Sequence, residues 1–410
     1  MAPPTFLVLL DALRWDYVCV QDSPTLVQLA NAGIWARKVR PSFGFCEISE
    51  CVTGTRPNVN GNFAAFAYGP QASPYRRWRG MLRLLGFVDR LPRGQMRARQ
   101  VLEWWFAVCG VPHPTYRIPL PWLSYFVPTE GARLHTQAGA FAVESVYDVM
   151  ARAGRAVYDE TFVRHNRAAG SDVDRVERLL RHCAESYDLF MIYLGEADGA
   201  GHDFGPDSPQ RRETVKRLDA LIARLVERVA QVYGEAANLV VLGDHGMVPV
   251  AHTVDVWSSV GALGLEFGRD YVMFLDSTLA RFWPLSERGR AGLRQLLAQR
   301  EFATLGELLT PERAEELHVP PPDSKYGEII WLAHANTMIF PDFFNRVVSL
   351  GMHGYETSLD EQKGFAVVVG PDVGAAVLEE VELVDICPTL CDLLSIEYPR
   401  QNQGISLLGR

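Results

Sequence analysis

The sequence predicts an α/β fold in which a largely parallel central sheet carries helices on both faces. Three observations support this prediction. Short, continuous apolar runs recur along the chain, stretches with helical periodicity separate them, and acidic or histidine side chains follow several of the runs closely. Alternation of strands with helices is typical of a parallel sheet. With 410 residues the chain is long enough to bury a large core, and we expect a single domain spanning residues 1–410.

Four apolar runs have the length and continuity of strands that are buried on both faces of a sheet. They occupy residues 6–10, 189–194, 239–242 and 365–369. Patterns with one apolar face predict helices at residues 143–153, 172–186 and 213–232.

Two stretches interrupt this alternation. Residues 69–130 are rich in proline, arginine and aromatic residues, and residues 254–344 combine a predicted helix at 286–299 with three consecutive prolines. We interpret both as insertions that cover the strand ends and form a cap that selects the substrate. For the first insertion, peripheral contact with a membrane and a small satellite core are alternative readings.

Composition limits the classes of function. A net charge of -9 argues against binding of a nucleic-acid polymer through its phosphates. Seven cysteines without a CxxC motif indicate reduced thiols, and hence a cytoplasmic protein. The first apolar run is interrupted by Asp11 and lacks a basic leader, so we expect a core strand there rather than a signal peptide.

Carboxylate and imidazole side chains occur at the places where a parallel sheet collects its functional residues, beyond the carboxyl ends of strands. Histidine and aspartate are ligands that zinc prefers, although other divalent ions also accept them. Six ligands suffice for two ions and leave positions open for a substrate, as in two-metal phosphoryl-transfer sites. The six candidates are Asp11, Asp198, His202, Asp244, His245 and His353.

Several motifs occur in the order found in the alkaline phosphatase superfamily, in its type I phosphodiesterase/nucleotide pyrophosphatase branch, which the chain resembles. The matching segments are LDALR at 10–14, PSFGFC at 41–46 followed by VTG at 52–54, YLGEADGAGHDFGP at 193–206, GDHGM at 243–247, MHG at 352–354 and VDICPTLCDLL at 384–394. The resemblance covers nearly the whole chain and is weakest in the two insertions.

The resemblance implies an alkaline phosphatase-like sandwich with two metal sites, most simply two Zn²⁺ ions. One ion would be held by Asp198, His202 and His353, and the other by the remaining three candidates. It also implies a hydrolase that cleaves a phosphodiester or pyrophosphate bond in a small phosphorylated substrate through a covalent intermediate. A phosphomonoesterase or phosphoryl-type transferase of a biosynthetic pathway, and a zinc-binding pseudoenzyme, are the alternatives.

The expected nucleophile departs from the family pattern of a threonine or serine at a helix start. Counting back without a gap from the Thr-Gly pair at 53–54 places it at Gly44, which has no side chain. Matching the glycine–aromatic–nucleophile pattern places it at Cys46, which we predict, with Ser42 and Ser49 as alternatives. Metals and helix N-termini favour a thiolate, but Cys46 could also be an extra zinc ligand or a buried thiol.

Diesterases of this branch carry an asparagine downstream of the nucleophile, on the side of the substrate oxyanion. Three asparagines follow the predicted nucleophile at positions 58, 60 and 62. Of these, Asn62 is our candidate.

Overall fold

The structure is a computed structural model that describes residues 2–45, 47–90, 95–111, 113–129, 135–137, 139–160, 170–321 and 325–410. Its strands are β1 (Thr5–Leu10), β2 (Ile34–Arg40), β3 (Phe66–Tyr68), β4 (Phe126–Pro128), β5 (Val157–Glu160), β6 (Leu189–Leu194), β7 (Asn238–Gly243), β8 (Val248–Pro249), β9 (His252–Val254), β10 (Tyr271–Leu275), β11 (Leu279–Pro284), β12 (Gly306–Leu308), β13 (Ile329–Ala333), β14 (Thr337–Ile339), β15 (Gly351–Met352), β16 (Gly364–Val369) and β17 (Ala376–Glu382). Its helices are α1 (Pro24–Ala32), α2 (Glu47–Thr53), α3 (Pro57–Asn60), α4 (Arg79–Leu84), α5 (Gln95–Val108), α6 (Val146–Arg152), α7 (Asp172–His182), α8 (Glu196–Phe204), α9 (Pro209–Tyr233), α10 (Val256–Gly261), α11 (Glu287–Leu297), α12 (Arg300–Leu305), α13 (Pro311–Glu316) and α14 (Ile386–Leu394).

The central sheet has seven strands in the order β17-β2-β16-β7-β1-β6-β5. Strands β5, β6, β1 and β7 run parallel, whereas β16 is antiparallel to both of its neighbours, and β17 runs parallel to β2. The fold is therefore mixed α/β with a mostly parallel sheet, which confirms the predicted fold class.

Alternate side chains of β1 supply two separate cores, because successive residues of a strand point to opposite faces. Phe6 and Val8 pack with α1, α7 and α9 on one face. Leu7 and Leu9 pack with α2, α6 and α14 on the other. Because both faces are covered, every position of this strand is apolar or buried, which explains its continuous apolar run.

The four predicted strand runs are confirmed as β1, β6, β7 and β16, and the four predicted helices are found as α6, α7, α9 and α11 with shifted ends. Strands β2 and β17 escaped prediction. Both strands mix buried and exposed positions, and charged residues such as Arg37, Glu379 and Glu380 are among the exposed ones. Such sequences lack the apolar continuity that marks a strand with two buried faces.

The two insertions share one hydrophobic core. Strands β10, β11, β13 and β12 form a second, antiparallel sheet, and the first insertion packs against it. Trp122 of the first insertion stacks on Phe267 of the second, with ring centroids 3.5 Å apart, and on Trp257 at 4.8 Å. Phe66 stacks on Phe274 in the same core at 5.4 Å. The insertions therefore form one cap rather than two.

Among the described residues, no helix has the length and apolar character needed to cross a membrane.

Candidate metal centre

The parallel strands bring the first carboxylates to one level of the sheet. β1 lies between β6 and β7, and Leu10 is in register with Leu194 on one side and Gly243 on the other. Asp11 is the next residue after β1, and Asp244 is the next after β7. The two carboxylates consequently lie side by side at the carboxyl edge of the sheet, where the fold places its site.

The first ligand group consists of Asp11, Asp244 and His245, whose ligand atoms lie within 4.8 Å of one another. His245 Nε2 is 3.0 Å from Asp11 Oδ1 and 3.8 Å from Asp244 Oδ1. The backbone N–H groups of Ala12 and His245 both donate to Asp244 Oδ1, at 3.1 and 2.9 Å. Backbone amides therefore hold the Asp244 carboxylate in place.

The second ligand group consists of Asp198, His202 and His353. Asp198 and His202 are four residues apart on α8 and so share one face of that helix. Asp198 Oδ1 is 3.1 Å from His202 Nε2 and 3.6 Å from His353 Nε2. His353 directly follows β15, whose Met352 pairs with Val248 in β8. This short ladder brings the most distant ligand in sequence to the sheet edge.

The hydrogen bonds of two histidines fix which ring nitrogen faces the site. Nδ1 of His202 is 2.8 Å from the Gly351 carbonyl oxygen, and Nδ1 of His245 is 2.8 Å from that of Gly246. A carbonyl oxygen only accepts, so Nδ1 carries the proton in each neutral ring and Nε2 presents its lone pair. Each Nε2 then faces a carboxylate oxygen at 3.0 or 3.1 Å. In a neutral ring the two facing atoms are both acceptors, and either a proton on Nε2 or a bound metal ion relieves their repulsion.

Two polar atoms of the second group, one of them the Asp198 oxygen that faces His202, lack hydrogen-bond partners among the described residues. Asp198 Oδ1 and His353 Nδ1 are buried and make no hydrogen bond among the described residues. A buried carboxylate oxygen without a partner is costly. A metal ion held by Asp198 would satisfy it. The donor set of aspartates and histidines therefore fits divalent metals of the zinc type.

Two of the three carboxylates have raised pKa values, as expected for buried acidic groups that a bound cation would stabilise. Burial raises the pKa of Asp11 above its usual value, and the negative charge of Asp198 adds to the shift. Burial likewise raises the pKa of Asp244. Burial and the neighbouring His245 lower the pKa of His353, so that ring favours the neutral, metal-binding form. A bound cation would offset the cost of keeping these carboxylates charged.

A cavity of about 770 Å³ opens beside both ligand groups. Both insertions contribute to its wall, through Pro114 and Tyr116 of the first and Asp276, Ser277 and Phe344 of the second. The rings of Tyr116 and Phe344 contact each other there at 4.9 Å between centroids. The cavity is wide enough for a small phosphorylated molecule, with the cap on one side and the ligand groups on the other.

Cys46, the predicted nucleophile, lies outside the described residues, and its role stays a prediction. Gly44, the alternative reached by counting, has a backbone reason to be glycine: its φ is +133° and an added Cβ would come 2.6 Å from the Phe63 carbonyl oxygen. The Ser42 backbone N–H donates to Glu50 Oε2 at 3.0 Å. The positive φ and close packing of Gly44 account for a glycine in the turn before α2. Without a side chain, Gly44 cannot itself be the nucleophile.

Asn62 and Ser49 contact each other. Asn62 Nδ2 donates to Ser49 Oγ at 3.0 Å, and neither residue is among those that line the described cavity. The role of Asn62 at the substrate oxyanion remains a prediction, as does that of Ser49 as an alternative nucleophile.

Tyr193 is a site residue that the sequence did not reveal. Its hydroxyl donates to Asp11 Oδ2, and its side chain lines the cavity. The residue lies within the apolar run of β6, where it resembles a core aromatic. Its position one residue before the end of a parallel strand was the available signal.

The glycines around Asp244 are needed for close packing. Neither Gly243 nor Gly246 has a positive φ, so a left-handed backbone is not the reason for them. A Cβ on Gly243 would lie 2.2 Å from the Leu13 carbonyl oxygen, and one on Gly246 would lie 2.1 Å from that of Glu361. Close backbone approach lets the Asp244 loop lie against β1.

Comparisons with known proteins agree with this fold. The family of type I phosphodiesterases/nucleotide pyrophosphatases matches residues 5–355. Ectonucleotide pyrophosphatase/phosphodiesterase family member 7 of Homo sapiens is 24% identical, over 97% of this chain and 81% of the relative. Bis(5'-adenosyl)-triphosphatase enpp4 of Xenopus laevis is 22% identical, over 60% of this chain and 53% of the relative.

Solved structures show the same fold. Human ectonucleotide pyrophosphatase/phosphodiesterase 5 superposes with a TM-score of 0.71 at 19% identity, covering 98% of this chain and 97% of that chain. An inactive variant of the murine protein in complex with AMP gives a TM-score of 0.70 at 18% identity, covering 97% and 96%.

The chain belongs to the type I phosphodiesterase/nucleotide pyrophosphatase family. It is accordingly a phosphodiesterase/pyrophosphatase-like hydrolase, as the family and the names of its relatives indicate.

Proposed function

We propose that this hydrolase cleaves a phosphodiester or pyrophosphate bond of a small phosphorylated substrate, with two divalent ions, preferably zinc, and a covalent intermediate. One observation carries the proposal: in each ligand group a histidine Nε2 lies 3.0 or 3.1 Å from a carboxylate oxygen, inside a cluster of two carboxylates and one imidazole or one carboxylate and two imidazoles. The two groups lie side by side, because the rings of His245 and His353 stack with centroids 4.1 Å apart.

The protein's own groups account for binding and positioning. Asp198, His202 and His353 would hold one ion, and Asp11, Asp244 and His245 the other. Bound ions would neutralise charge on the phosphoryl oxygens and lower the pKa of the attacking group. The hydroxyl of Tyr193 fixes the Asp11 carboxylate, and the carbonyl groups of Gly246 and Gly351 orient the two imidazoles.

Cys46 remains our candidate for the attacking group, since it directly precedes α2. In that mechanism its thiolate forms a sulfur–phosphorus bond as the bond from phosphorus to the leaving-group oxygen breaks, and the leaving group takes up a proton. Water then cleaves the sulfur–phosphorus bond, which releases the product and restores the thiol.

The deciding experiment compares hydrolysis of a nitrophenyl phosphodiester with that of the corresponding monoester. Protein stripped of metal should be inactive, and zinc should restore activity that is faster on the diester. Manganese and magnesium serve as comparison ions, because the same ligands also accept other divalent metals.

Other results would select the alternatives. Faster release from the monoester would favour a phosphomonoesterase. Tight zinc binding without release from either ester or from a dinucleotide would favour a zinc-binding pseudoenzyme. Failure to bind any divalent ion would overturn the assignment of the two ligand groups.

We further propose that the first insertion contacts a membrane surface rich in anionic lipid. Helix α5 presents Val101, Trp104 and Val108 on one side at helical spacing, with exposed fractions of 65%, 59% and 68%. Its opposite side packs Phe106 into the cap core. Large apolar side chains exposed in a row indicate a contact surface, and tryptophan is favoured at membrane interfaces.

The positive charge around α5 favours an anionic membrane surface as the binding partner over an uncharged protein surface. The exposed charged residues in described stretches 76–90 and 97–108 are all arginines, namely Arg76, Arg77, Arg79, Arg83 and Arg97. This basic surface occurs on a chain with a net charge of -9. Arginines beside exposed apolar groups attract anionic headgroups.

Cosedimentation with vesicles tests this contact. We expect binding to vesicles of phosphatidylserine and phosphatidylcholine that weakens with added salt, little binding to phosphatidylcholine alone, and loss of binding when Val101, Trp104 and Val108 are all changed to serine. Val347→Ser with Val348→Ser, which alters exposed valines outside this helix, is the matched control. Equal binding by both variants, or none by the unaltered protein, would overturn the proposal.

We also propose a cytoplasmic location. The described cysteines all carry free thiols, as expected in a reducing compartment. Because the names of the relatives carry the prefix ecto, cell fractionation with a thiol count on the isolated protein is the appropriate test. Recovery from the medium or the cell surface would contradict it.

A further inference from the structure

Glu47 brings a seventh carboxylate or imidazole group to the metal centre. It is the first residue of α2, is half-buried and lines the cavity. A Glu47 carboxylate oxygen and the ligand nitrogens of His245 and His353 all lie within 4.8 Å of one another. This spacing is the same as that within the two groups already described.

Glu47 lies close to one histidine of each ligand group. His245 belongs to the group of Asp11 and Asp244, and His353 belongs to the group of Asp198 and His202. The two imidazole rings stack at 4.1 Å with an angle of 21° between their planes. A carboxylate near both rings therefore lies where the two groups meet.

Other acidic residues that line the cavity have partners elsewhere. Asp276 forms an ion pair with Arg281 at 2.6 Å, and Glu196 contacts Arg217 at 3.3 Å. Among the described residues, no lysine or arginine lies within 4.0 Å of the Glu47 carboxylate. A carboxylate that is partly removed from water and has no lysine or arginine partner is stabilised by a nearby metal ion.

We propose that Glu47 is an additional metal-binding side chain between the two ions and that it sets a preference for singly charged phosphodiesters over doubly charged phosphomonoesters. This inference rests on the proposed two-metal function. Two divalent ions bring four positive charges, the three aspartates of the two groups bring three negative charges, and an attacking Cys46 thiolate would bring a fourth. The Glu47 carboxylate lowers the net charge of the centre by one more.

The preference follows from the charge that the substrate brings. A centre with one more negative charge attracts a second negative charge on the phosphoryl group less, and at short range in a low-dielectric site one charge has a large effect. A carboxylate close to the phosphoryl oxygens also repels a dianion more than a monoanion. Removing the charge of Glu47 should therefore favour the monoester.

Glu47→Gln tests the metal-binding role without an activity measurement. Zinc release to a competing chelator should become easier by about tenfold or more, since loss of a group close to a metal typically weakens binding by this factor. Glu196→Gln is the matched control. It removes a carboxylate from the same cavity wall, but Glu196 belongs neither to the two ligand groups nor to the cluster of Glu47 with His245 and His353. It should leave zinc release unchanged.

The second measurement is the ratio of kcat/KM for a nitrophenyl phosphodiester to that for the monoester. In Glu47→Gln this ratio should fall by about tenfold or more, as expected when one charge near the phosphoryl group is removed. Glu47→Asp, which keeps the charge on a shorter side chain, should retain most of the ratio. Thermal unfolding of each variant confirms that folding is intact.

Two results would overturn the inference. If Glu47→Gln releases zinc as the unaltered protein does, Glu47 does not bind the ions. If zinc release changes but the ratio does not, the role in substrate preference is wrong. A protein that hydrolyses neither ester would refute the proposed function, while the chelator measurement would still decide whether Glu47 contacts the metals.

Discussion

His245 and His353 stack ring on ring, with centroids 4.1 Å apart, although they belong to different candidate ligand groups. The two ligand groups therefore share a wall, and neither can move without displacing the other. Close-packed interiors transmit such displacements.

We expect His353→Ala to lower bound zinc from about two ions per chain to about one, because the second group keeps only two ligands while a structural zinc site needs three or four. Metal analysis after dialysis measures this. His252→Ala, on the exposed strand β9, should retain both ions. Retention of two ions by His353→Ala would remove this residue from the set of ligands.

We expect Cys46→Ala to lower kcat on a diester by about 10³-fold or more, since loss of a nucleophile leaves only binding and charge stabilisation. Zinc content should stay the same. A loss of zinc instead would make the thiol a ligand. Unchanged turnover would exclude it as nucleophile, and Ser42→Ala and Ser49→Ala would then be the next variants.

Glu50 should make stability depend on pH. Burial raises its pKa from 4.5 to about 8. The folded state therefore holds an extra proton between these values, and the free energy of unfolding falls as pH rises through that window. The loss is on the order of a few kcal/mol. Glu50→Gln keeps an acceptor for the Ser42 N–H and should show a flatter profile between pH 5 and 8 in urea unfolding. Parallel profiles for both proteins would contradict this.

The buried ion pair of the cap should be important for stability. Arg281 donates to Asp276 at 2.6 Å, and both residues are almost fully buried. Arg281→Ala leaves a buried carboxylate unpaired and should lower the free energy of unfolding by about 3–5 kcal/mol. Arg269→Ala breaks an exposed pair with Glu266 and should change little. Equal stability of both variants in denaturant would show that the Asp276 charge is satisfied in another way.

The central sheet and the clustering of the candidate ligand residues could be predicted from sequence for one physical reason. A parallel strand buried on both faces must be apolar throughout, so the polar residue that follows it is conspicuous. Asp11 and Asp244 are of this kind. His353 was recognisable only through its glycine neighbours, because its position depends on the two-residue ladder between β15 and β8.

The remaining features depend on tertiary structure that leaves little local pattern. Tyr193 resembles a core residue within its strand, and its contact with Asp11 arises only when β1 and β6 pair. The partners of the metal-facing histidines are backbone carbonyl groups, which any residue provides. The antiparallel sheet of the second insertion has short strands whose pairing joins distant segments.

The single core shared by the two insertions has a consequence for how this enzyme can be altered. Trp122 and Phe267 are separated by more than a hundred residues in sequence, yet they stack directly. A chimera that takes one insertion from a relative would leave half of an aromatic interface without its counterpart. A change of specificity should therefore require exchange of both insertions together. Substitutions that accumulate in one insertion should be matched by compensating changes in the other.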